Sequence, residues 1–315
     1  MTYKVLVTCP PMLKQINQFR DIFHKMNIEI TTPEVIQTLT EEELIKIVPH
    51  HDGWIIGDDP ATLNVFKAGK EGRLKAAVKW GIGIDNVDFS ACNELDIPIT
   101  NTPGMFGSEV ADLAMCYVLG LARDAFFIDR EIRSGGWPKP SGISLKGKTM
   151  GIIGLGNIGQ SIAKRANAHE LNIIGWDPYA TNIPDYIEVQ ENWPSAVSSC
   201  DFIVFACALN QDNYHLLNNK TLHILKPGVR IINISRGPLI SEKALLKGLE
   251  SGVICSAALD VFEEEPLNSS SKLFDHPKCI LGSHNGSNTI DAVIRASNEA
   301  ILLLNNMLKD KLKHD

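Results

Sequence analysis

Basic charge, paired cysteines and long apolar runs are all scarce in this 315-residue sequence. Lys and Arg number 30 against 37 Asp and Glu, for a formal net charge of -7. The one concentrated basic stretch, Lys309, Lys311 and Lys313, closes a helical pattern, where lysines complement the carbonyl end of a helix. A surface that tracks nucleic-acid phosphates needs far more Lys and Arg on one face, so nucleic acid is excluded as the main ligand. The seven cysteines (Cys9, Cys92, Cys116, Cys200, Cys207, Cys255, Cys279) are odd in number, scattered and without C-x-x-C spacing. They read as reduced core thiols rather than a disulfide framework or a metal site. The longest nearly apolar run, Ala111 to Ala122, contains Asp112 and is too short to span a bilayer. No signal-peptide core precedes the strand-like Val5-Leu6-Val7. His50-His51 are adjacent rather than four apart, a poor metal pair. The expectation is a cytoplasmic protein with neither a membrane nor a nucleic-acid partner and no metal.

What is present is globular: 44% hydrophobic and 21% charged residues, with Gly and Pro spread along the chain. The length suits two α/β domains, each burying its own core, with a cleft between them for a ligand. Short apolar runs alternate with helical patterns almost from end to end, which predicts parallel sheets with crossover helices. In the first hundred residues the strands are read at Val5 to Thr8, Ile28 to Ile30, Gly53 to Ile56, Lys75 to Lys79 and Ile97 to Thr100. A second series starts at Thr149 to Ile153 and continues at Leu171 to Trp176, Phe202 to Ala206, Arg230 to Ile234, Cys255 to Leu259 and Cys279 to Leu281. Asn101-Thr102-Pro103-Gly104 and a point near Asn285-Gly286 are candidate crossings between domains, consistent with one domain at 103–284 and another made of 1–102 and 285–315. Ser108 to Arg133 reads as one long helix, too apolar for exposure on most sides, stopped by Ser134-Gly135-Gly136-Trp137-Pro138. A chain that must bury the final helix, Thr289 to Leu308, could return it to the first domain.

Gly154-Leu155-Gly156-Asn157-Ile158-Gly159 follows a strand and opens a helical pattern, the context a dinucleotide fingerprint requires. Gly154 serves the tight turn, Gly156 lets backbone approach a pyrophosphate, and Gly159 lets helix and strand pack closely. Asp177 closes the next strand, eighteen residues after Gly159, where an acid accepts ribose hydroxyls of NAD and repels the 2'-phosphate of NADP. The bland alternative is a glycine turn with a surface aspartate. Arg236, Glu265 and His284 each follow a strand in the second series, and ligands bind at the carboxyl ends of strands in an open α/β sheet. Singly, the arginine reads as an ion-pair partner, the glutamate as a solvated loop residue and the histidine as a structural one. As a set they supply what oxidation of an alcohol beside a carboxylate needs: a base and a cation, next to a hydride acceptor.

These segments together resemble the D-2-hydroxyacid dehydrogenase family, over nearly the whole chain and most strongly from Lys75 to Arg295. The family's R-G pair after a strand matches Arg236-Gly237. Its D-V-F-x-x-E-P loop matches Asp260 to Pro266, and its P-H-x-G-like turn matches His284 with Gly286. The resemblance implies two doubly wound sheets, a Rossmann NAD-binding domain inserted into a flavodoxin-like substrate domain. It assigns the substrate carboxylate and carbonyl oxygen to Arg236, proton exchange to His284 and the other imidazole nitrogen to Glu265, with Glu263 and Glu264 set aside. It also implies NAD contacts at Gly154, Gly156, Asn157, Ile158, Gly159 and Asp177. Further along the cofactor it implies Cys207, Asn213, Ile234, Asp260 and Gly286. Lys79, Gly81, Ile82 and Gly83 resemble the loop that cradles the substrate carboxylate, a turn that needs glycines for its own sake too. The helix at 108–133 resembles the family's dimerisation helix, so a homodimer is expected.

Ser283, Asn285, Cys207 and Lys79 depart from common family residues without removing a catalytic group. Glu265 argues against formate, whose dehydrogenases carry glutamine there. The overall look is nearest to short-form 3-phosphoglycerate dehydrogenase, with Lys139, Arg73, Lys75 and Lys79 as candidates for holding a phosphate and a solvent-facing lysine as the alternative for Lys139. The sequence ends soon after the last helix, and a C-terminal regulatory domain is not expected. A glyoxylate or hydroxypyruvate reductase is the alternative within the family, and an NADH-sensing corepressor-like protein the alternative outside enzymes.

Overall fold

Continuous runs of Val, Ile and Leu form strands covered on both faces. In the computed structural model, which describes residues 2–311, the first five are β1 (Tyr3–Val7), β2 (Ile28–Thr31), β3 (Gly53–Ile56), β4 (Ala76–Lys79) and β5 (Ile99–Asn101). They make one parallel sheet in the order β2-β1-β3-β4-β5, the flavodoxin-like winding. Trp54, Ile56, Val65 and Phe66 are among the side chains sealed into its core. The helix Leu63–Glu71 that carries two of them is started by Thr62, whose side chain accepts from the Val65 amide. The closing helix Ile290–Lys311 belongs to the same unit. Its Ser297 hydroxyl accepts from Trp80 Nε1 at 3.1 Å, and its Leu308 carbonyl accepts from the Tyr3 hydroxyl at 2.9 Å.

The second sheet contains β6 (Thr149–Ile153), β7 (Asn172–Trp176), β8 (Ile187–Gln190), β9 (Phe202–Phe205), β10 (Val229–Asn233), β11 (Ile254–Leu259) and β12 (Cys279–Leu281). All pair in parallel, in the order β12-β11-β10-β9-β6-β7-β8. The chain winds from β6 out through β7 and β8, then restarts at β9 on the other side of β6, so the topological switch point lies between β6 and β9. This is the Rossmann winding with one added strand. Its core runs from Trp176 through Phe205 and Ile231 to Leu259.

The chain divides into two compact units, Met1–Phe106 with Asn288–Asp315, and Gly107–Ser287. The sequence puts the crossings at 102/103 and 284/285. Residues up to 106 stay with the first unit because Thr102 Oγ1 accepts from the Gly81 amide at 2.8 Å and the Phe106 ring packs on Trp80. Residues 284 and 286 stay with the second because their amides both donate to Asp260.

Three expectations need correction. The long helix read over Ser108 to Arg133 is two helices, Gly107–Arg123 and Ala125–Arg133, separated by Asp124 at φ +52°. The break is satisfied locally: the Ala122 carbonyl accepts from Ile143 N at 2.8 Å, and Phe126 folds back so closely that a Cβ on Gly120 would lie 2.5 Å from its ring. The strand β8 went unread because it is a half-exposed edge with a polar alternation, Ile-Glu-Val-Gln. The cysteines are all unbridged, but they are not all core residues: Cys9, Cys92, Cys200 and Cys279 are buried while Cys116 is exposed on the helix Gly107–Arg123. Among the described residues, no helix is long and apolar enough to cross a membrane, and no three His, Cys, Asp or Glu gather as a metal set.

Candidate active site at the carboxyl edge of the second sheet

The fingerprint glycines occupy the turn from β6 into the helix Asn157–Ala168. Gly154 sits at φ +96°, and a Cβ there would lie 2.5 Å from the Cys207 backbone nitrogen at the end of β9. A Cβ on Gly159 would lie 1.9 Å from the Gly154 carbonyl oxygen. Both positions therefore demand glycine for the turn itself. Gly156 differs: no atom stands within 4 Å of where its Cβ would be, and it and Asn157 are exposed. Its bareness leaves an open approach to the first amides of a helix, which suits a pyrophosphate.

Asp177, after β7, accepts from Leu155 N and from Tyr179 N, both at 2.8 Å, one on each carboxylate oxygen. It thus clamps the glycine turn, and each oxygen keeps a second acceptor position for a ribose hydroxyl. After β9, burial pushes the Cys207 thiol up to about 12, so it stays protonated and unreactive at neutral pH. Asn213 Nδ2 donates to the Ala208 carbonyl at 2.6 Å, and its Oδ1 accepts from Asn210 N, fixing the loop after β9. The turn, the acid and the loop stand at the carboxyl ends of β6, β7 and β9, around the switch point.

The three strands beyond β9 carry the remaining groups. Ile234 is buried at the end of β10. There the Asn233 side chain donates to the Arg236 carbonyl at 2.8 Å and accepts from Ser235 N at 3.1 Å, and the Arg236 guanidinium donates to the Ser235 carbonyl at 2.9 Å. After β11, Asp260 is buried, and burial holds its carboxyl above the usual range against the pull of the amides of Asn285 and Gly286. Its backbone oxygen accepts from His284 N at 2.7 Å, its Oδ2 from Gly286 N at 2.8 Å, and its Oδ1 from the Tyr117 hydroxyl at 3.2 Å. Asp260 therefore ties the loop after β12 to the sheet.

Glu265 Oε1 accepts from Phe262 N at 3.0 Å, which leaves Oε2 facing His284 Nδ1 at 2.7 Å. That bond fixes the ring orientation and puts the proton of the neutral imidazole on Nδ1. His284 holds φ +55°, a conformation costly for a histidine and kept by the two amide bonds that flank it. Glu263 instead pairs with His215 at 2.6 Å. Tyr117 and Asn233 are the positioning residues that sequence reading missed. A tyrosine in the apolar stretch from Ala111 to Ala122 was the available signal, since a buried hydroxyl needs a partner.

The substrate candidates are divided between the units. Gly81 (φ +128°), Ile82 and Gly83 follow β4 in the first unit, their loop held by Asn101 Nδ2 on the Ile82 carbonyl at 3.1 Å. Lys79 is buried, its ammonium donating to Asp58 at 2.9 Å and to the Gly57 carbonyl at 2.5 Å. Lys139 is exposed, in the second unit.

Residues 115–286 match the family model described as D-isomer specific 2-hydroxyacid dehydrogenase, NAD binding domain. The chain is 34% identical over 307 residues to the hydroxypyruvate reductase of Thermotoga maritima, covering 95% of this chain and 96% of that protein. It is 35% identical over 273 residues to a D-3-phosphoglycerate dehydrogenase of Methanocaldococcus jannaschii, covering 84% of this chain but only 51% of that protein, so it spans about half that enzyme's length. Among solved structures, the TT0316 protein of Thermus thermophilus matches with a TM-score of 0.87 and 28% identity over 98% of this chain and 97% of that one. The chain belongs to the D-isomer specific 2-hydroxyacid dehydrogenase family and is an NAD-dependent oxidoreductase acting on the CH–OH group of a 2-hydroxyacid.

Proposed function

We propose that the enzyme interconverts a small 2-oxoacid and its D-2-hydroxyacid at the carboxyl edge of the second sheet, with Arg236, Glu265 and His284 as the catalytic set. The observation that carries this reading is the 2.7 Å bond between His284 Nδ1 and Glu265 Oε2, on strand ends next to the one that bears Arg236. NAD supplies the hydride acceptor in oxidation and, reduced, the hydride donor. Arg236 takes the substrate carboxylate and the reacting oxygen with its planar fork of donors. His284 Nε2 gives a proton to that oxygen during reduction and withdraws it during oxidation, while Glu265 holds the ring and offsets the positive charge that it carries when protonated.

In the same reading the pyrophosphate lies over Gly154, Gly156, Asn157, Ile158 and Gly159, and Asp177 takes the adenosine ribose. Cys207, Asn213 and Ile234 flank the cofactor, and Asp260 with Gly286 holds its nicotinamide end. The first unit serves as the substrate domain, with the amides of Gly81, Ile82 and Gly83 cradling the carboxylate. A homodimer through the helix Gly107–Arg123 is supported by a groove of about 690 Å³ that Met115, Leu119 and Phe126 help to line. A cytoplasmic location is supported by seven unbridged cysteines.

The test is NADH oxidation followed with glyoxylate, hydroxypyruvate, pyruvate and 3-phosphohydroxypyruvate, repeated with NADPH and with Asp177→Ala. Turnover of at least one oxoacid is expected with NADH, and a drop of about tenfold in the NADH-over-NADPH ratio in the variant. Absence of turnover across the panel overturns the proposed roles. An unchanged ratio removes Asp177 from the cofactor site.

A further inference from the structure

Two loops of the second unit converge on the segment that follows Arg236. One leaves β11 and carries Asp260, Glu263 and Glu265; the other leaves β9, runs past Cys207 and Asn213, and reaches Tyr214 and His215. His215 N donates to the Pro238 carbonyl at 2.8 Å and Leu217 N to the Leu239 carbonyl at 3.2 Å, while Ser241 N donates back to the Leu217 carbonyl at 2.9 Å. The segment 215–217 is thereby paired in parallel with 238–241. From the other side the Phe262–Glu263 backbone presses on Gly237, where a Cβ would lie 1.8 Å from the Phe262 carbonyl carbon. Gly237 has to be glycine so that the loop bearing Glu265 can lie against the residue next to Arg236.

Glu263, which the sequence motif passes over, closes this junction. Its Oε1 accepts from His215 Nε2 at 2.6 Å and from Glu242 N at 3.3 Å, and its own amide donates to Glu242 Oε1 at 2.9 Å. The residue before it, Phe262, donates its amide to Glu265 Oε1, and Glu265 Oε2 faces the His284 ring. His215 is held for its contact at φ +54°, a costly conformation for histidine, with Asn218 Nδ2 donating to its carbonyl at 2.8 Å and the Tyr214 ring stacked on the imidazole at 4.0 Å. Glu263 also stands among acids: burial, and then the charges of Glu263 and Glu264, push the Glu242 carboxyl above the usual range. A strained histidine joined to a carboxylate that stands among like charges marks a place where local stability is given up for function.

We propose that His215 and Glu263 are a positioning pair for the reaction: by tying the loop after β9 to the loop after β11, they hold Glu265 where it orients His284. The inference deepens the reading of Arg236, Glu265 and His284 as the catalytic set and rests on it. Neither residue of the pair needs to touch substrate, because both act through Glu265.

The experiment follows NADH-driven reduction of the fastest oxoacid in the panel above. Glu263→Ala removes the acceptor, and His215→Asn keeps a residue that tolerates left-handed backbone but is too short to reach it. Each is expected to lower kcat by about tenfold, with KM for NADH and for the oxoacid changed less than about threefold. The double variant should lose no more than either single one, and Glu263→Gln, which keeps an oxygen for His215, should retain at least about half of the wild-type kcat. In a Glu265→Gln background, where no carboxylate remains to be placed, Glu263→Ala should cost less than about twofold. An unchanged kcat in Glu263→Ala, additive losses in the double variant, or an undiminished loss in the Glu265→Gln background overturns the positioning role and leaves the catalytic set standing. A Glu265→Gln enzyme as active as the wild type overturns the catalytic reading, and this inference with it.

Discussion

Replacing His284 by alanine is expected to lower kcat for 2-oxoacid reduction by about 10²- to 10⁴-fold, the span of general acid–base catalysis, while NADH affinity changes less than about threefold. The asymmetry follows from how the residue is held. Its backbone amide and that of Gly286 are bound by Asp260, so the loop keeps its shape without the imidazole. On the proposed reading the side chain contributes one thing, a ring whose Nδ1 is held by Glu265 and whose Nε2 exchanges the proton. Because His284 sits at φ +55°, alanine adds some backbone strain of its own. His284→Asn separates the two effects, since asparagine tolerates left-handed backbone and cannot shuttle the proton. Both variants should be equally inactive, and the asparagine one should melt nearer the wild type. Rates by NADH absorbance and affinity by NADH fluorescence check this, and parallel losses of both would contradict an acid/base role.

Arg236→Ala is expected to raise KM for the oxoacid and cut kcat/KM by about 10³-fold, with NADH binding again spared. The guanidinium is the planar donor fork at the end of β10, set in place by a backbone that Asn233 holds on both sides of Ser235. Removing it strands the substrate carboxylate in a site built around it, a loss of about 4 kcal/mol. Arg236→Lys should recover only a small part of this, because an ammonium is a point charge without the fork. Steady-state kinetics on the two variants decides it, and a lysine variant close to wild type would reduce Arg236 to a general source of charge.

Much of this site was legible because its chemistry is carried by local patterns. The glycine spacing needs only a strand before it and a helix after it, and Asp177 needs only the end of the next strand. The alternation of short apolar runs with helical patterns pointed to parallel sheets with crossover helices, and the winding of each sheet came only with the family resemblance. What the sequence hid was set by contacts distant along the chain. Asp124 looks like any helix-surface acid, and nothing in Leu121-Ala122-Arg123-Asp124-Ala125-Phe126 announces the break that Ile143 caps from elsewhere. Asp58 reads as loop polarity until β3 and β4 pair and bring it against Lys79, 21 residues on. Arg73 and Lys75 looked available for a phosphate because Asp52 is a further 21 residues away from Arg73 in sequence and next to it in space.

The central claim is that this edge directs hydride from NADH to one face of the carbonyl carbon of a 2-oxoacid and a proton to its oxygen. Its most direct test is the chirality of the product when hydroxypyruvate is reduced by NADH, read on a chiral column against NADH consumed. The expected result is D-glycerate in one-to-one proportion with NADH oxidised. L-glycerate, a racemate, or NADH loss without glycerate would contradict it.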